Sequence, residues 1–182
     1  MGRMPHRLFV GIRPPEIVRD ALIDTMEALE GARWQDEAQL HVTLRFIGEV
    51  ERPLANDLAD ELGAIPWPDF PLEIDGVSHF QRKGNPTAVW ARILPSEALE
   101  GLRQKIERAC ERVGLERETR RFTPHITIAR LGRNSAGLGS WLASHGGLRA
   151  GPWPAERFIL FESHLSPSGA HYEVVAEYPL GG

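Results

Sequence analysis

The sequence predicts an α+β fold built on antiparallel sheets, with a pseudo-twofold internal repeat and helices packed on the outer faces. Three observations carry this. Two stretches share one order of elements: apolar strand, proline-started helix, glycine, linker, strand. The strands alternate apolar and polar residues, the pattern of a half-buried sheet. Turn residues separate the remaining strands by short connections, which favours antiparallel pairing over crossovers.

The first copy opens with the apolar run 8–12, followed by Pro14, Pro15 and Glu16. Ile17, Ala21, Leu22, Met26 and Leu29 then recur at helical spacing, and Gly31 is placed to stop that helix. The copy ends in the strand His41-Val42-Thr43-Leu44-Arg45-Phe46-Ile47-Gly48. The second copy opens with residues 88–94, then Pro95, Ser96 and Glu97. Leu99, Leu102, Ile106, Ala109 and Val113 form its helical face, and Gly114 is the stop. Its last strand is His125-Ile126-Thr127-Ile128-Ala129-Arg130-Leu131-Gly132. Each helix is expected to cover the apolar face of its own copy. Around the repeat, residues 54–62 and 138–143 read as short helices, and residues 72–77 as a strand pairing with 88–94 across a turn at 83–86. Residues 157–165 and 171–178 read as the last two strands.

With 182 residues, 42% hydrophobic and 25% charged, the chain suits a single globular domain, here taken as 1–182. No apolar run is long enough for a membrane span, and residues 8–12 are too short for a secretory signal core. A cytoplasmic, monomeric protein is expected. The net charge of −4 argues against a general nucleic-acid coat protein, though not against a pocket for one phosphate. Only Lys83 and Lys105 are lysines, so nineteen of the 21 basic residues are arginines, expected mostly as solvated surface. Cys110, the single cysteine, falls on the helical stripe and reads as core.

Chemistry concentrates in the two His-x-Thr strands. Alternation puts His41, Thr43 and Arg45 on one face, with Val42, Leu44 and Phe46 behind; His125 and Thr127 likewise share a face. If the copies oppose each other across a cleft, the two imidazoles form an acid–base pair, since an unperturbed pKa near 6.5 lets one donate and the other accept a proton. The threonine hydroxyls can donate to an oxyanion. No carboxylate stands at ligand spacing to either histidine, so the expectation is metal-free, cofactor-free chemistry at a centre with two exchanging oxygens, such as a phosphodiester. His6, in the N-terminal tail, and His79, His145, His164 and His171 belong to no matching motif.

The ordered set resembles the two-histidine phosphoesterase superfamily, and within it the RNA 2′,3′-cyclic phosphodiesterases of the 2′-5′ RNA ligase family. The residues that carry the resemblance are Arg7-Leu8-Phe9-Val10-Gly11-Ile12, Trp34, the His41 strand, Phe80, Pro86, Trp90, and Arg121-Phe122-Thr123-Pro124-His125-Ile126-Thr127-Ile128-Ala129-Arg130. It implies a bilobal fold with two antiparallel sheets flanking a central cleft, and metal-independent hydrolysis of RNA 2′,3′-cyclic phosphate ends to 2′-phosphate. It further implies His41 as proton donor, His125 as proton acceptor, Thr43 and Thr127 on the non-bridging oxygens, and Arg130 binding the phosphate. Strict alternation, however, turns Arg130 away from His125 unless the strand bulges, and leaves Arg45 as its rival. Two other readings stay open: 2′-5′ ligation by the reverse reaction, and a non-catalytic RNA-end binding protein.

Overall fold

The computed structural model of the chain describes residues 4–181. In chain order the elements are β1 (His6–Ile12), α1 (Glu16–Ile23), β2 (Arg33–Trp34), a 3-10 turn (Glu37–Gln39), β3 (Val42–Val50), α2 (Arg52–Gly63), β4 (Phe70–Arg82) and β5 (Asn85–Ile93). Then follow α3 (Glu97–Arg112), β6 (His125–Arg130), α4 (Leu138–His145), β7 (Arg149–Ala155), β8 (Arg157–Ser166) and β9 (Gly169–Pro179). The α+β class with antiparallel strands is as expected.

The strands form one hydrogen-bonded sheet in the order β7-β4-β5-β6-β3-β1-β8-β9, with β2 pairing β6 beside that path. The two sheets implied by the resemblance are its two four-stranded halves. They meet at a single residue pair, Val42 with Ile126, between β3 and β6. In each half the apolar strand that opens a copy lies beside that copy's histidine strand: β1 beside β3, β5 beside β6.

The helices are placed differently from expectation. The main contacts of α3 are with β3 and α2, and those of α1 with β7, rather than with the strands of their own copies. Each long connection therefore ties one half of the sheet to the other. On α3 the stripe Leu99, Leu102, Ile106, Ala109 and Cys110 is buried as predicted. Each of its Leu and Ile side chains contributes about 1.5–3 kcal/mol by leaving water. The Ser96 hydroxyl caps the helix by accepting from Leu99 N at 3.1 Å. The Cys110 thiol, deep in this layer, is pushed up to about 11 by burial.

α1 is shorter than its periodicity suggested. It ends at Ile23, because the buried Thr25 hydroxyl bonds the Leu22 carbonyl at 2.6 Å and Thr25 O accepts from the Trp141 indole at 2.9 Å. Met26 and Leu29 still pack on the core from an irregular segment, while Ile17, expected inside, is 78% exposed. The β4–β5 hairpin turns at Lys83 and Gly84, both at positive φ, the two-residue geometry that matches strand twist. β7 was not anticipated. Pro152 and Pro154 disguise it, and they are tolerated because it is an edge strand. His6 is not in a tail: it lies on β1 and bonds Glu162 at 3.1 Å.

Candidate active site

The Val42–Ile126 pair sets the site. Both side chains are fully buried on the helix side, so their neighbours on each strand point to the other face. In an antiparallel register that pair places His41 across from Thr127, and Thr43 across from His125. Four residues separated by up to 86 positions thereby become the corners of one patch, with the imidazoles on one diagonal and the hydroxyls on the other.

Each imidazole is held the same way. His41 Nδ1 lies 2.7 Å from Gln39 O, and His125 Nδ1 lies 2.6 Å from Thr123 O. A carbonyl only accepts, so Nδ1 carries the proton and Nε2 is the basic nitrogen of each neutral ring. In His41 that Nε2 is 2.7 Å from Thr43 Oγ1, whose hydroxyl donates to it.

The two halves are not electrostatically equal. Gly11 pairs with Thr43 on the first side; Trp90 pairs with Thr127 on the second. A Cβ at Gly11 would sit 2.7 Å from Val42 O and 3.2 Å from the His41 ring, so glycine lets that ring settle onto the sheet. There it is walled by Phe9, with ring centroids 4.9 Å apart, and meets Tyr172 edge-on at 5.5 Å. Burial, opposed by the Gln39 hydrogen bond and reinforced by the charges of His125, Arg130 and Arg13, lowers the His41 pKa to about 4. His125 packs against Phe80 at 5.0 Å and Trp90 at 5.4 Å. Its pKa is also lowered, by burial first and by Arg130, against the Thr123 hydrogen bond. Near neutral pH both rings of the free protein are uncharged.

A bulge present in both strands decides which face Arg130 and Arg45 take. Along β3 the β1 partners step from Thr43 to Arg45, skipping Leu44; along β6 the β5 partners step from Thr127 to Ala129, skipping Ile128. Both skips fall three residues after the histidine. One extra residue reverses the alternation beyond it. Arg130 is thereby returned to the histidine side, where it is exposed, lines the cleft and acts on both imidazoles.

The same bulge turns Arg45 into the protein, against expectation. It bonds Glu107 of α3 at 2.7 Å and the carbonyl of Glu116 at 2.5 Å. Glu107, buried as well, accepts from Glu118 N at 2.8 Å. The pair thus braces α3 and the segment leading to Thr123 against β3.

Phe46, assigned by alternation to the hidden face, is a site residue that sequence reasoning missed, as is Tyr172 beside His41. Phe46 is 51% exposed and separates two cavities. One, of about 720 Å³, is lined by Phe9, Trp34, Phe46, Tyr172, Arg7 and Arg130 among others. The other, of about 380 Å³, is lined by Thr43, Phe46, Phe80, Phe122 and His125 among others. Nothing in Leu44-Arg45-Phe46 signals the flip, since a buried Phe and a solvated Arg are what two-fold alternation ordinarily gives. Among the described residues, no group of three or more His, Cys, Asp or Glu side chains is placed to hold a metal ion.

The sequence profile of the 2′-5′ RNA ligase superfamily matches residues 14–163, most of the chain. The chain belongs to this superfamily. Among curated members, it is 31% identical to an RNA 2′,3′-cyclic phosphodiesterase of Aeropyrum pernix, over 78% of this chain and 82% of that one. A Thermotoga maritima protein of the same name is 28% identical over 97% and 96%. Among solved structures, a Thermus thermophilus protein superposes with a TM-score of 0.79 at 28% identity, covering 97% of this chain and 98% of its own. Escherichia coli LigT in complex with 3′-AMP shares the superfamily fold, with a TM-score of 0.79 at 24% identity over 98% and 99%. The matched residues, 14–163, span both His-x-Thr strands.

Proposed function

We propose that the protein hydrolyses RNA 2′,3′-cyclic phosphate ends to 2′-phosphates, using His41 and His125 as a metal-independent acid–base pair. The observation that carries this reading is the patch at the Val42–Ile126 crossing, where the pairing of β3 and β6 brings together two Nδ1-anchored imidazoles and two hydroxyls, with the charge of Arg130 acting on both rings. The relatives named RNA 2′,3′-cyclic phosphodiesterase support the substrate.

The steps follow from the side chains. Neutral His125 accepts a proton at Nε2 from a water molecule, whose oxygen attacks phosphorus. The bond from phosphorus to O3′ breaks opposite it, and O3′ takes a proton from His41 Nε2, giving a 3′-hydroxyl and a 2′-phosphate. Thr43, Thr127 and Arg130 donate to the non-bridging oxygens as charge builds there. His41 must be protonated to act as the acid, yet its pKa in the free protein is about 4. The substrate resolves this: an anion placed against the ring opposes the burial penalty and occupies Arg130, whose charge otherwise disfavours the imidazolium. Protonation also releases Nε2 from the Thr43 hydroxyl, freeing both groups for the phosphate.

Hydrolysis of a 2′,3′-cyclic mononucleotide in excess chelator is the direct test. The expected outcome is undiminished turnover with a 2′-phosphate as the sole product. Loss of turnover that a divalent ion restores would move the reaction to metal assistance, and a 3′-phosphate product would reverse the assigned geometry.

A further inference from the structure

The smaller cavity beside His125 does not end at Phe122. It shares Arg103, Glu118 and Arg120 with a neighbouring cavity of about 500 Å³ between α3 and the segment 117–120. The second cavity adds Arg108 and Arg117 to the walls. Together the two are lined by six arginines and three glutamates, in a chain of net charge −4.

Some of that positive charge is spent internally. Arg45 is bound to Glu107, Arg103 to Glu100 at 2.6 Å and Arg120 to Glu118 at 3.2 Å. What remains is spread along the path: Arg121 and Arg108 make no ion pair among the described residues, and exposed Arg117 reaches Glu111 only at 3.8 Å. The end nearest His125 is aromatic, formed by Phe46, Phe80 and Phe122, with the Arg103 guanidinium 5.3 Å above the Phe122 ring. Aromatic faces followed by spaced arginines are what a single nucleic-acid strand requires, for its bases and its phosphates in turn. In the larger cavity three arginines stand beside Asp36 and Glu49.

We propose that this groove holds the RNA strand 5′ to the reacting end, with the terminal nucleoside against Phe80 and Phe122 and three upstream phosphates along Arg121, Arg117 and Arg108. The proposal rests on the cyclic-phosphodiesterase reading and adds to it the path of the strand that carries the reacting end. It is compatible with the net charge of −4, which is an average over the whole surface and does not describe the six arginines that line these two cavities.

The test compares a short unstructured RNA ending in 2′,3′-cyclic phosphate with the corresponding cyclic mononucleotide. Arg108, Arg117 and Arg121 are replaced together by Gln; all three are exposed and lie outside the Arg45–Glu107 brace. Binding of the RNA to the His125→Ala protein at several salt concentrations is expected to give a log–log slope near −2 to −3, about 0.7 for each phosphate neutralised. In the triple variant the slope is expected to fall to about −1, while mononucleotide kcat/KM in the active background is unchanged. A slope already near −1 and unmoved by the triple variant would overturn the groove, as would its reduction by Arg7→Gln with Arg33→Gln instead. Failure of the unaltered enzyme to hydrolyse the mononucleotide at all would overturn the cyclic-phosphodiesterase reading itself, a different result from loss of the oligonucleotide preference.

Discussion

Replacing His41 or His125 by alanine is expected to lower kcat for a cyclic mononucleotide by on the order of 10²–10⁴-fold, the range for loss of a general acid or base. The two losses should not add, because the rings act in one proton-transfer sequence and removing either disables it. Thr43→Ala and Thr127→Ala are expected to cost less, about 10–10³-fold, the scale set by removal of one oxyanion donor. Thr43 carries a further consequence. Its hydroxyl is the hydrogen-bond partner of His41 Nε2, so the Thr43→Ala protein should also show an altered acid limb in its pH profile, which Thr127→Ala should not. Steady-state kinetics across pH measure all four. Near-native turnover in either histidine variant would show that the crossing of β3 and β6 is not the reaction centre.

The second large effect is on stability. Arg45 is 8% exposed and Glu107 7%, so neither can turn to water if the other is lost. Arg45→Met is expected to destabilise the fold by about 3–5 kcal/mol, the usual cost of stranding one member of a buried ion pair. Combining Arg45→Met with Glu107→Leu should recover much of that loss, because a buried pair replaced by apolar residues of similar volume is often close to neutral. The double variant should nevertheless be less active. Glu116 O and Glu118 N lose their partners, and with them goes the anchoring of the segment that carries Thr123, the acceptor for His125 Nδ1. Denaturant unfolding alongside kcat separates the two: restored stability with reduced kcat is expected, and restored stability with full kcat would show that the brace has no part in positioning His125.

The same region shows what could be read from sequence and what could not. Helical and strand periodicities report how a segment faces its immediate layer. They located α3 and its buried stripe, the hairpin at Lys83-Gly84 and both histidine strands. The His/Thr pairs were legible because two strands carried the same short pattern, and the single Val42–Ile126 contact suffices to bring them together. Periodicity carries no information on which layer lies opposite, so it could not show that α3 packs across onto β3 or α1 towards β7. Nor does it register a bulge. A one-residue insertion in pairing after Thr43 and after Thr127 reversed the faces of Arg45, Phe46 and Arg130. Only the resemblance to a known family held Arg130 in the site against the alternation. The end of α1 was misplaced because a side-chain hydroxyl, that of Thr25, closes the helix before its apolar pattern runs out.

The central claim is that one phosphate sits between His41 and His125. Nuclear magnetic resonance of the imidazole nitrogens, titrated against pH with and without a nucleoside 2′-phosphate, tests it most directly. In the free protein His41 is expected to stay neutral until the pH falls to about 4, and His125 to titrate below the ordinary histidine value. An anion between the rings favours both imidazolium forms, so one equivalent of ligand should raise both pKa values together. Ligand binding should then take up protons and tighten as the pH falls from neutrality, where both free rings are unprotonated, towards the free-protein pKa values. A ligand that binds while moving only one imidazole, or neither, would contradict the paired site.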